Sequence, residues 1–368
     1  MNAPSSAAPS LDELRREIDR LDAQLLETLG ERARVAERIG AVKRAENSPM
    51  FRPDRALQVI ERVKKNNPGP ITGEHLAAIW REIMSACLAL ETPQRVAVLG
   101  PKGTFCEQAA IKYFGSAVEL IYGRTFDDVF RAAASGEADF GVVGIENSTE
   151  GAVNRSLDLF LDTPLHIIGE VGLAVQHHLL RRENHLENIE AVAAHPQALM
   201  QCQNRLAVLL PHAERRAVSS NAEGARLAAE NSALAALASE RAAALFGLHI
   251  AARSVQDEAH NRTRFAVVCL PEVAPMPPAT GRDRTSLAVS VPDKPGSVHD
   301  MLTPLKKHGV SMTRFESRPA KSGRWEYFFY MDLDGHPAQP QVAAALRELQ
   351  ELCSFYKVLG AYPSDGGK

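Results

Sequence analysis

Val96-Ala97-Val98-Leu99-Gly100-Pro101-Lys102-Gly103-Thr104-Phe105 is the stretch where the chain changes texture, from long helical periodicity to alternating strands and helices. Four consecutive apolar residues suit a short buried strand, the glycine and proline cluster stops it, and the pattern turns helical from about residue 107. Strand, tight turn and helix form the repeating unit of α/β architecture, and the unit recurs. Phe140-Gly141-Val142-Val143, His166-Ile167-Ile168 and Ala191-Val192-Ala193 are further apolar runs separated by helical patterns. Residues 94–272 are therefore expected to form a doubly wound α/β segment in two lobes. The turn at 100–104 also offers free backbone N–H groups and the positive end of a helix dipole to an anion. It is neither a P-loop, lacking Gly-Lys-Ser/Thr, nor a dinucleotide fingerprint, lacking Gly-x-Gly-x-x-Gly.

Upstream, Leu14, Ile18, Leu21, Leu25 and Leu29, then Val35, Ile39 and Val42, recur at three- and four-residue spacing, which predicts one amphipathic helix from Leu11 to about Ala45. Asn47-Ser48-Pro49 ends it. A second helix is expected from about Pro53 to Lys65 and a third from Gly73 to Leu90, so residues 1–93 read as all-helical. A helix of about 35 residues cannot bury its stripe against two short ones, which predicts a dimer sharing helices. Downstream, residues 271–278 form a proline-rich linker. Residues 284–368 then read as a β-rich module with the order βαββα: a strand at 286–291, a helix through Met301 and Leu305, a strand into Phe315, a strand from Trp325 to Met331 and a helix from Gln339 to Leu352. That order suits a small ferredoxin-like fold.

At 368 residues the chain is long enough for two or three cores. A formal net charge of −3 argues against a nucleic-acid partner, which would need a basic face. Residues 1–10 are rich in Ala, Pro and Ser, with neither a basic start nor an apolar centre. They read as a disordered leader rather than a signal peptide, and no apolar run is long enough for a membrane. The five cysteines lack metal or disulfide spacing, and the histidines lack helical ligand spacing, so a reduced, cytoplasmic protein with no metal and no cofactor is expected.

The chemistry is concentrated at strand ends. Asn261-Arg262-Thr263-Arg264-Phe265 runs into Ala266-Val267-Val268 and sets a hydroxyl donor between two cations at the mouth of a strand. The string suits acid chemistry on a carboxylate, and equally suits an ordinary edge strand. Glu146-Asn147-Ser148-Thr149-Glu150-Gly151, His195-Pro196-Gln197-Ala198-Leu199 and Ser219-Ser220-Asn221-Ala222 likewise place polar groups at strand C-termini, where doubly wound sheets bind ligands. In the helical segment Arg32 and Lys43 are eleven residues apart and point within about 20° of each other, whereas Arg15 lies about 100° away.

Three resemblances follow from these residues. Leu14-Arg15, Ile18-Asp19-Arg20-Leu21-Asp22, Glu31-Arg32, Gly40 and Lys43 resemble the all-helical chorismate mutase domain. The resemblance implies that Arg15 from a partner protomer, Arg32 and Arg55 grip the carboxylates of chorismate, that Lys43 donates to its ether oxygen, and that Arg52 and Cys87 join the site. Two positions depart. Ala56 stands where the family often carries a glutamate, and Glu91 where a glutamine donor occurs. Glu91 would have to be protonated to help, so mutase activity is expected to fall as pH rises through neutrality.

The strand-end motifs, with Thr263-Arg264-Phe265, closely resemble prephenate dehydratase over about 96–270. That implies a cleft between lobes, as in periplasmic-binding-protein-like folds, with Thr263 assisting loss of the ring hydroxyl before decarboxylation to phenylpyruvate. Thr104, Glu146, Asn147, Ser148, Gln197, Ser220 and Arg264 are carried over as substrate contacts. A neutral threonine is a poor acid and relays or orients a proton rather than supplying it. Cys106 and Gly144 depart from common serine and proline. Asp293-Lys294-Pro295-Gly296-Ser297-Val298 and Glu316-Ser317-Arg318-Pro319 resemble the ACT regulatory domain. This implies L-phenylalanine as effector at Gly296, Ser297, Val298, Glu316, Ser317 and Arg318, or a dimerisation module without ligand.

The combined reading is a cytoplasmic, dimeric or larger enzyme that converts chorismate to prephenate and prephenate to phenylpyruvate, with feedback by phenylalanine. A mutase joined to a dehydrogenase is disfavoured by the missing dinucleotide fingerprint. A non-catalytic two-lobed binding protein is the alternative of another class.

Overall fold

The computed structural model describes residues 9–46, 48–320 and 327–366. Most of the expected leader, Asn47 of the expected helix stop, and the expected strand start at Trp325 lie outside the described residues. The segment begins with α1 (Leu11–Ala45), α2 (Pro53–Lys65) and α3 (Gly73–Glu91). Ser10 and Glu13 close a capping box that fixes the first turn of α1, and Pro53 opens α2 with its φ already helical. α1 meets α3 where Gly40 removes a side chain: a Cβ there would sit 2.9 Å from the Cβ of Glu91. Only Ala36 and Gly40 of α1 are buried, and Leu14, Ile18, Leu21 and Leu25 are each more than 40% exposed.

The first lobe contains β1 (Arg95–Leu99), α4 (Phe105–Phe114), β2 (Glu119–Gly123), α5 (Phe126–Ala134), β3 (Phe140–Asn147), β4 (Gly151–Ala152), α6 (Asn154–Asp162) and β5 (His166–Ala174). The second contains β6 (His178–Arg181), β7 (Ala191–Ala194), α7 (Pro196–Gln201), α8 (Gln203–Leu209), β8 (Glu214–Ala217), α9 (Asn221–Glu230), β9 (Leu234–Ala238), α10 (Glu240–Phe246) and β10 (His249–Ala252). The chain then returns as β11 (Arg262–Cys269) into the first sheet, whose order is β2-β1-β3-β11-β5. The returning strand is antiparallel to both neighbours, while β1 pairs parallel with β2 and β3, so the sheet is mixed. Its central strands read as unbroken apolar runs because helices and the C-terminal module cover both faces. Helix α4 starts two residues earlier than the pattern indicated. Thr104 is its N-cap, accepting from the Glu107 N–H and donating to the Leu99 carbonyl.

The C-terminal module contains β12 (Asp283–Ser290), α11 (Ser297–Lys307), β13 (Met312–Pro319), β14 (Tyr327–Asp334), α12 (Pro340–Leu352) and β15 (Phe355–Pro363). Its order is thus βαββαβ, one strand more than the expected βαββα. Lys357 and Gly360 interrupt the apolar pattern of β15, and both have tertiary reasons. Lys357 Nζ donates to the carbonyls of Phe160, Leu161 and Thr163 at the end of α6. Gly360 faces β5 so closely that a Cβ would lie 2.1 Å from the Ile167 carbonyl oxygen. Ala288, Tyr330, Leu359 and Tyr362 accordingly share one apolar core with Val143, Ile145, Ile167 and Val268 of the first lobe. The proline-rich linker is ordered rather than loose: Ala274 is buried, and the Pro277 carbonyl lies 3.0 Å from His336 Nε2. The helical segment is anchored similarly, through the Phe51 ring against Phe114 and Phe140 of the first lobe at 5.1 and 5.5 Å.

Candidate active sites

The cleft between the two lobes has a volume of about 300 Å³, the lower end of the range for small-molecule sites. Thr104, Asn147, Gln197, Ser220 and Thr263 line it, together with Arg124, His177, His195 and Gln201. Thr104 and Ser220 are the N-caps of α4 and α9, so two helix dipoles present positive ends to whatever enters. Thr263 pairs with Asn147 on one side and Leu173 on the other; β11 is a central strand at this point, not an edge.

The polarity of the Thr263 hydroxyl follows from its neighbours. Asn147 Oδ1 accepts from Thr149 N, Thr149 Oγ1 and Glu150 N at 3.0, 2.6 and 3.1 Å. That fixes the amide, and Asn147 Nδ2 must donate to Asn261 Oδ1 and Thr263 Oγ1, at 2.9 and 2.8 Å. Thr263 Oγ1 is thereby an acceptor from Asn147, and its own proton remains available.

Side chains alternate along a strand, so Arg264 leaves on the opposite face. There its Nη1 donates to Glu146 Oε2 at 3.0 Å, its Nε lies 2.9 Å from Glu170 Oε2, and its Nη2 donates to Asp332 Oδ2 of β14 at 2.5 Å. Arg284 pairs with the same Glu170, and Ser286 Oγ donates to Asp332. Burial alone would raise the Asp332 carboxyl, but the Arg264 and Arg314 guanidiniums outweigh it and hold the group below the usual carboxylate range. Glu146 and Arg264 are therefore not brought together with Thr104, Gln197 and Ser220; they line the back of β11. Ser148 also lies at the back, where its Oγ donates to the His260 carbonyl and accepts from the Arg262 N–H. Among the described residues that line the cleft the arginine is Arg124, just past the end of β2. No sequence motif marked it; the rule that strand C-termini bind ligands would have found it.

In the helical segment Lys43 Nζ lies 3.0 Å from Glu91 Oε2 and donates to the Met50 carbonyl at 2.8 Å. Arg32 Nη1 donates to Cys87 Sγ at 2.7 Å. Lys43, Glu91, Arg32 and Cys87 thus lie along the contact between α1 and α3. Glu91, expected as a protonated donor, stands as the ion-pair partner of Lys43. Arg52 forms a two-pronged pair with the buried Asp54, and Arg55 lies exposed one turn into α2. Arg15 is exposed and seventeen residues before Arg32, about 25 Å along the helix, so one chain does not unite them.

In the C-terminal module Gly296, at φ +85°, precedes α11, whose first residues are the buried Ser297 and the exposed Val298. Ser317 on the edge strand β13 is opposite Phe329, which is opposite Val289 near the end of β12, so Glu316 and Ser317 lie at the same end of the sheet as Gly296. Arg318 points elsewhere, its Nε donating to Asp158 of α6 at 2.9 Å.

Three family models match successive parts of the chain. Residues 14–92 match chorismate mutase type II, 96–272 prephenate dehydratase and 285–351 the ACT domain. A bifunctional chorismate mutase/prephenate dehydratase of Neisseria gonorrhoeae is 46% identical over 96% of this chain and 98% of its own. A crystal structure of prephenate dehydratase from Arthrobacter aurescens in complex with L-Phe is 33% identical, with a TM-score of 0.68 over 73% of this chain and 90% of its own. A structure described as a quorum-quenching acylase, GqqA, is 29% identical with a TM-score of 0.68 over 74% of this chain and 99% of its own, so fold alone does not settle chemistry. Full-length identity, with a hydroxyl donor in the cleft and a lysine between α1 and α3, identifies the chain as a member of the bifunctional chorismate mutase/prephenate dehydratase family.

Proposed function

We propose that residues 1–93 rearrange chorismate to prephenate, that residues 94–272 dehydrate and decarboxylate prephenate to phenylpyruvate, and that residues 284–368 regulate the second step. The observation that carries this reading is the oriented Thr263 hydroxyl, fixed as acceptor from Asn147 and free to donate inside an interlobe cleft. Prephenate is a dianion. The α4 and α9 N-termini and Arg124 supply positive potential for its carboxylates, with Thr104, Gln197 and Ser220 as polar contacts. The C–O bond to the ring hydroxyl breaks with its electron pair on oxygen, one proton completes water, and the ring carboxylate leaves as CO₂ while its bonding pair enters the ring. Thr263 hands the proton to the leaving oxygen.

For the mutase step Lys43 faces the ether oxygen, and Arg32, Arg55 and a partner's Arg15 hold carboxylates, a role for positioning and fixed charge alone. The exposed apolar stripe of α1 supports a homodimer or larger assembly, because each large apolar side chain it covers would contribute about 1.5–3 kcal/mol. L-phenylalanine, bound near Gly296, Ser297, Val298, Glu316 and Ser317, favours one arrangement of the chain and slows dehydration. The protein is proposed to work in the cytoplasm; among the described residues no helix is long and apolar enough to cross a membrane.

The test is to feed chorismate and follow prephenate and phenylpyruvate. Lys43→Ala should stop the first step and leave the conversion of added prephenate; Thr263→Ala should let prephenate accumulate. Loss of both steps in either variant would contradict two separate sites. Calorimetry without phenylalanine binding would remove the regulatory part.

A further inference from the structure

The dehydration needs a proton, and threonine is too weak an acid to be its source. The hydrogen-bond network behind Thr263 points to another group. Because Asn147 Nδ2 donates to Asn261 Oδ1, the other half of the Asn261 amide must be a donor, and Asn261 Nδ2 donates to Gln201 Oε1 at 3.1 Å. Gln201 Nε2 is turned the other way, donating to Thr149 Oγ1 and Glu150 Oε1 at 3.3 and 3.2 Å. Gln201 Oε1 is thus an acceptor, and His177 Nε2, 3.0 Å from it, must carry a proton. Every polarity in this chain descends from the backbone N–H groups of residues 149 and 150. The neutral ring is therefore the Nε2–H tautomer, and Nδ1 carries the lone pair. That Nδ1 is buried and has no hydrogen-bond partner among the described residues, in a side chain 2% exposed that lines the same cleft as Thr263.

We propose that His177 Nδ1 takes up a proton when the prephenate dianion enters the cleft and is the proton source for the departing hydroxyl. The inference rests on the dehydratase reading above. Protonation leaves the existing bonds in place, because Nε2–H keeps its bond to Gln201 while the unpartnered lone pair of Nδ1 takes the proton. In the step itself the Nδ1–H bond breaks and its electron pair stays on nitrogen. The proton joins the leaving oxygen, directly or through the Thr263 hydroxyl, to give water, and the neutral imidazole regains a proton from solvent in the next cycle.

The surroundings fit a group that charges only with substrate. The ring packs edge-on against Phe105 of α4 at 5.7 Å, touches Gln201 of α7, and its backbone N–H donates to Gln256 between β10 and β11; none of these carries charge. Burial pushes His177 below the ordinary imidazole range, with neighbouring His178 acting in the same direction. Glu150 lies beyond Gln201, while Arg124 and His195 share the cleft. An incoming dianion offsets the charge of Arg124 and favours the charged ring.

The experiment compares His177→Gln with wild type in the full-length protein. Glutamine can still donate to Gln201 but has nothing at the Nδ1 position. Wild-type kcat for added prephenate is expected to fall as pH rises past the value for His177 in the complex. The variant should lose about 10²–10⁴-fold in kcat, lose that alkaline limb, and keep the mutase rate. Imidazole added to His177→Gly should restore part of the rate. As a measure independent of variant folding, wild type mixed with phenylpyruvate and carbonate-free indicator solution provides a monoanion control, and a non-reacting dicarboxylate analogue of prephenate should draw about one proton per site more than that control. A variant retaining more than about one third of kcat with the same pH limb, or no proton uptake with the dianion, overturns the proposal. If wild type itself leaves prephenate unchanged, the dehydratase reading fails instead.

Discussion

Replacing Asp332 with asparagine tests how the C-terminal module is joined to the strand that carries Thr263. Around β11 three cations, Arg264, Arg284 and Arg314, face three carboxylates, Glu146, Glu170 and Asp332. Asp332→Asn keeps the shape and the Oδ1 acceptor for Ser286, but turns an N–H toward Arg264 Nη2 and leaves a buried excess of one positive charge. Breaking one side of a buried pair costs about 3–5 kcal/mol, and because Arg264 retains Glu146 and Glu170 the expected loss is at the low end, about 3 kcal/mol. At roughly 2 cal/mol/K of unfolding entropy per residue, a cooperative unit spanning residues 94–368 would lose about 5 °C in Tm. The folded-state carboxyl is depressed, so its stabilisation is present above the unfolded value and lost as pH falls through the folded one. The gap between wild type and variant should therefore narrow in acid. Thermal unfolding at neutral and acid pH, and the Asp332→Asn/Arg264→Gln cycle, are the measurements. A neutral-pH loss under about 1 kcal/mol, or a coupling energy near zero, would refute the reasoning. Dehydratase kcat well below Tm should stay near wild type, since Asp332 bonds Arg264 and Ser286 while the Thr263 hydroxyl is held by Asn147.

Asn147→Asp should lower dehydratase kcat by about 10²-fold or more, because a second acceptor at the Nδ2 position draws the Thr263 proton away from the cleft; steady-state rates with added prephenate check it. Thr263→Val should lose more than Thr263→Ser, with the mutase rate of both unchanged. Gly40→Val should displace Glu91, whose Cβ is 2.9 Å from the site of the new side chain, and reduce mutase kcat while dehydration persists. Glu91→Gln removes the negative charge beside Lys43 and should raise mutase kcat; an unchanged or lower rate would leave Glu91 as the counter-ion of Lys43 alone.

The sequence was sufficient wherever the physics is local. The 3.6-residue recurrence of Leu14 to Val42 placed α1, Pro53 and Gly73 placed the next two helices, and the apolar runs at Val96, Phe140 and Ala191 placed strands that are buried on both faces. Four separated polar motifs at strand ends were legible because the chain can expose side chains to a ligand only where pairing stops. What lay outside that reach depended on contacts between distant residues. The β15 strand was hidden by Lys357 and Gly360, which answer to α6 and β5 rather than to a strand pattern. Arg264 looked like a substrate cation beside Thr263, yet strand alternation turned it toward Asp332, a partner 68 residues on. Likewise the sequence supplied a hydroxyl at Thr263 and a histidine at 177, while the direction of their protons was decided only in the fold. Donor and acceptor are properties of a whole network, fixed here by the backbone N–H groups of Thr149 and Glu150 donating to Asn147 Oδ1 and passed from side chain to side chain across the cleft.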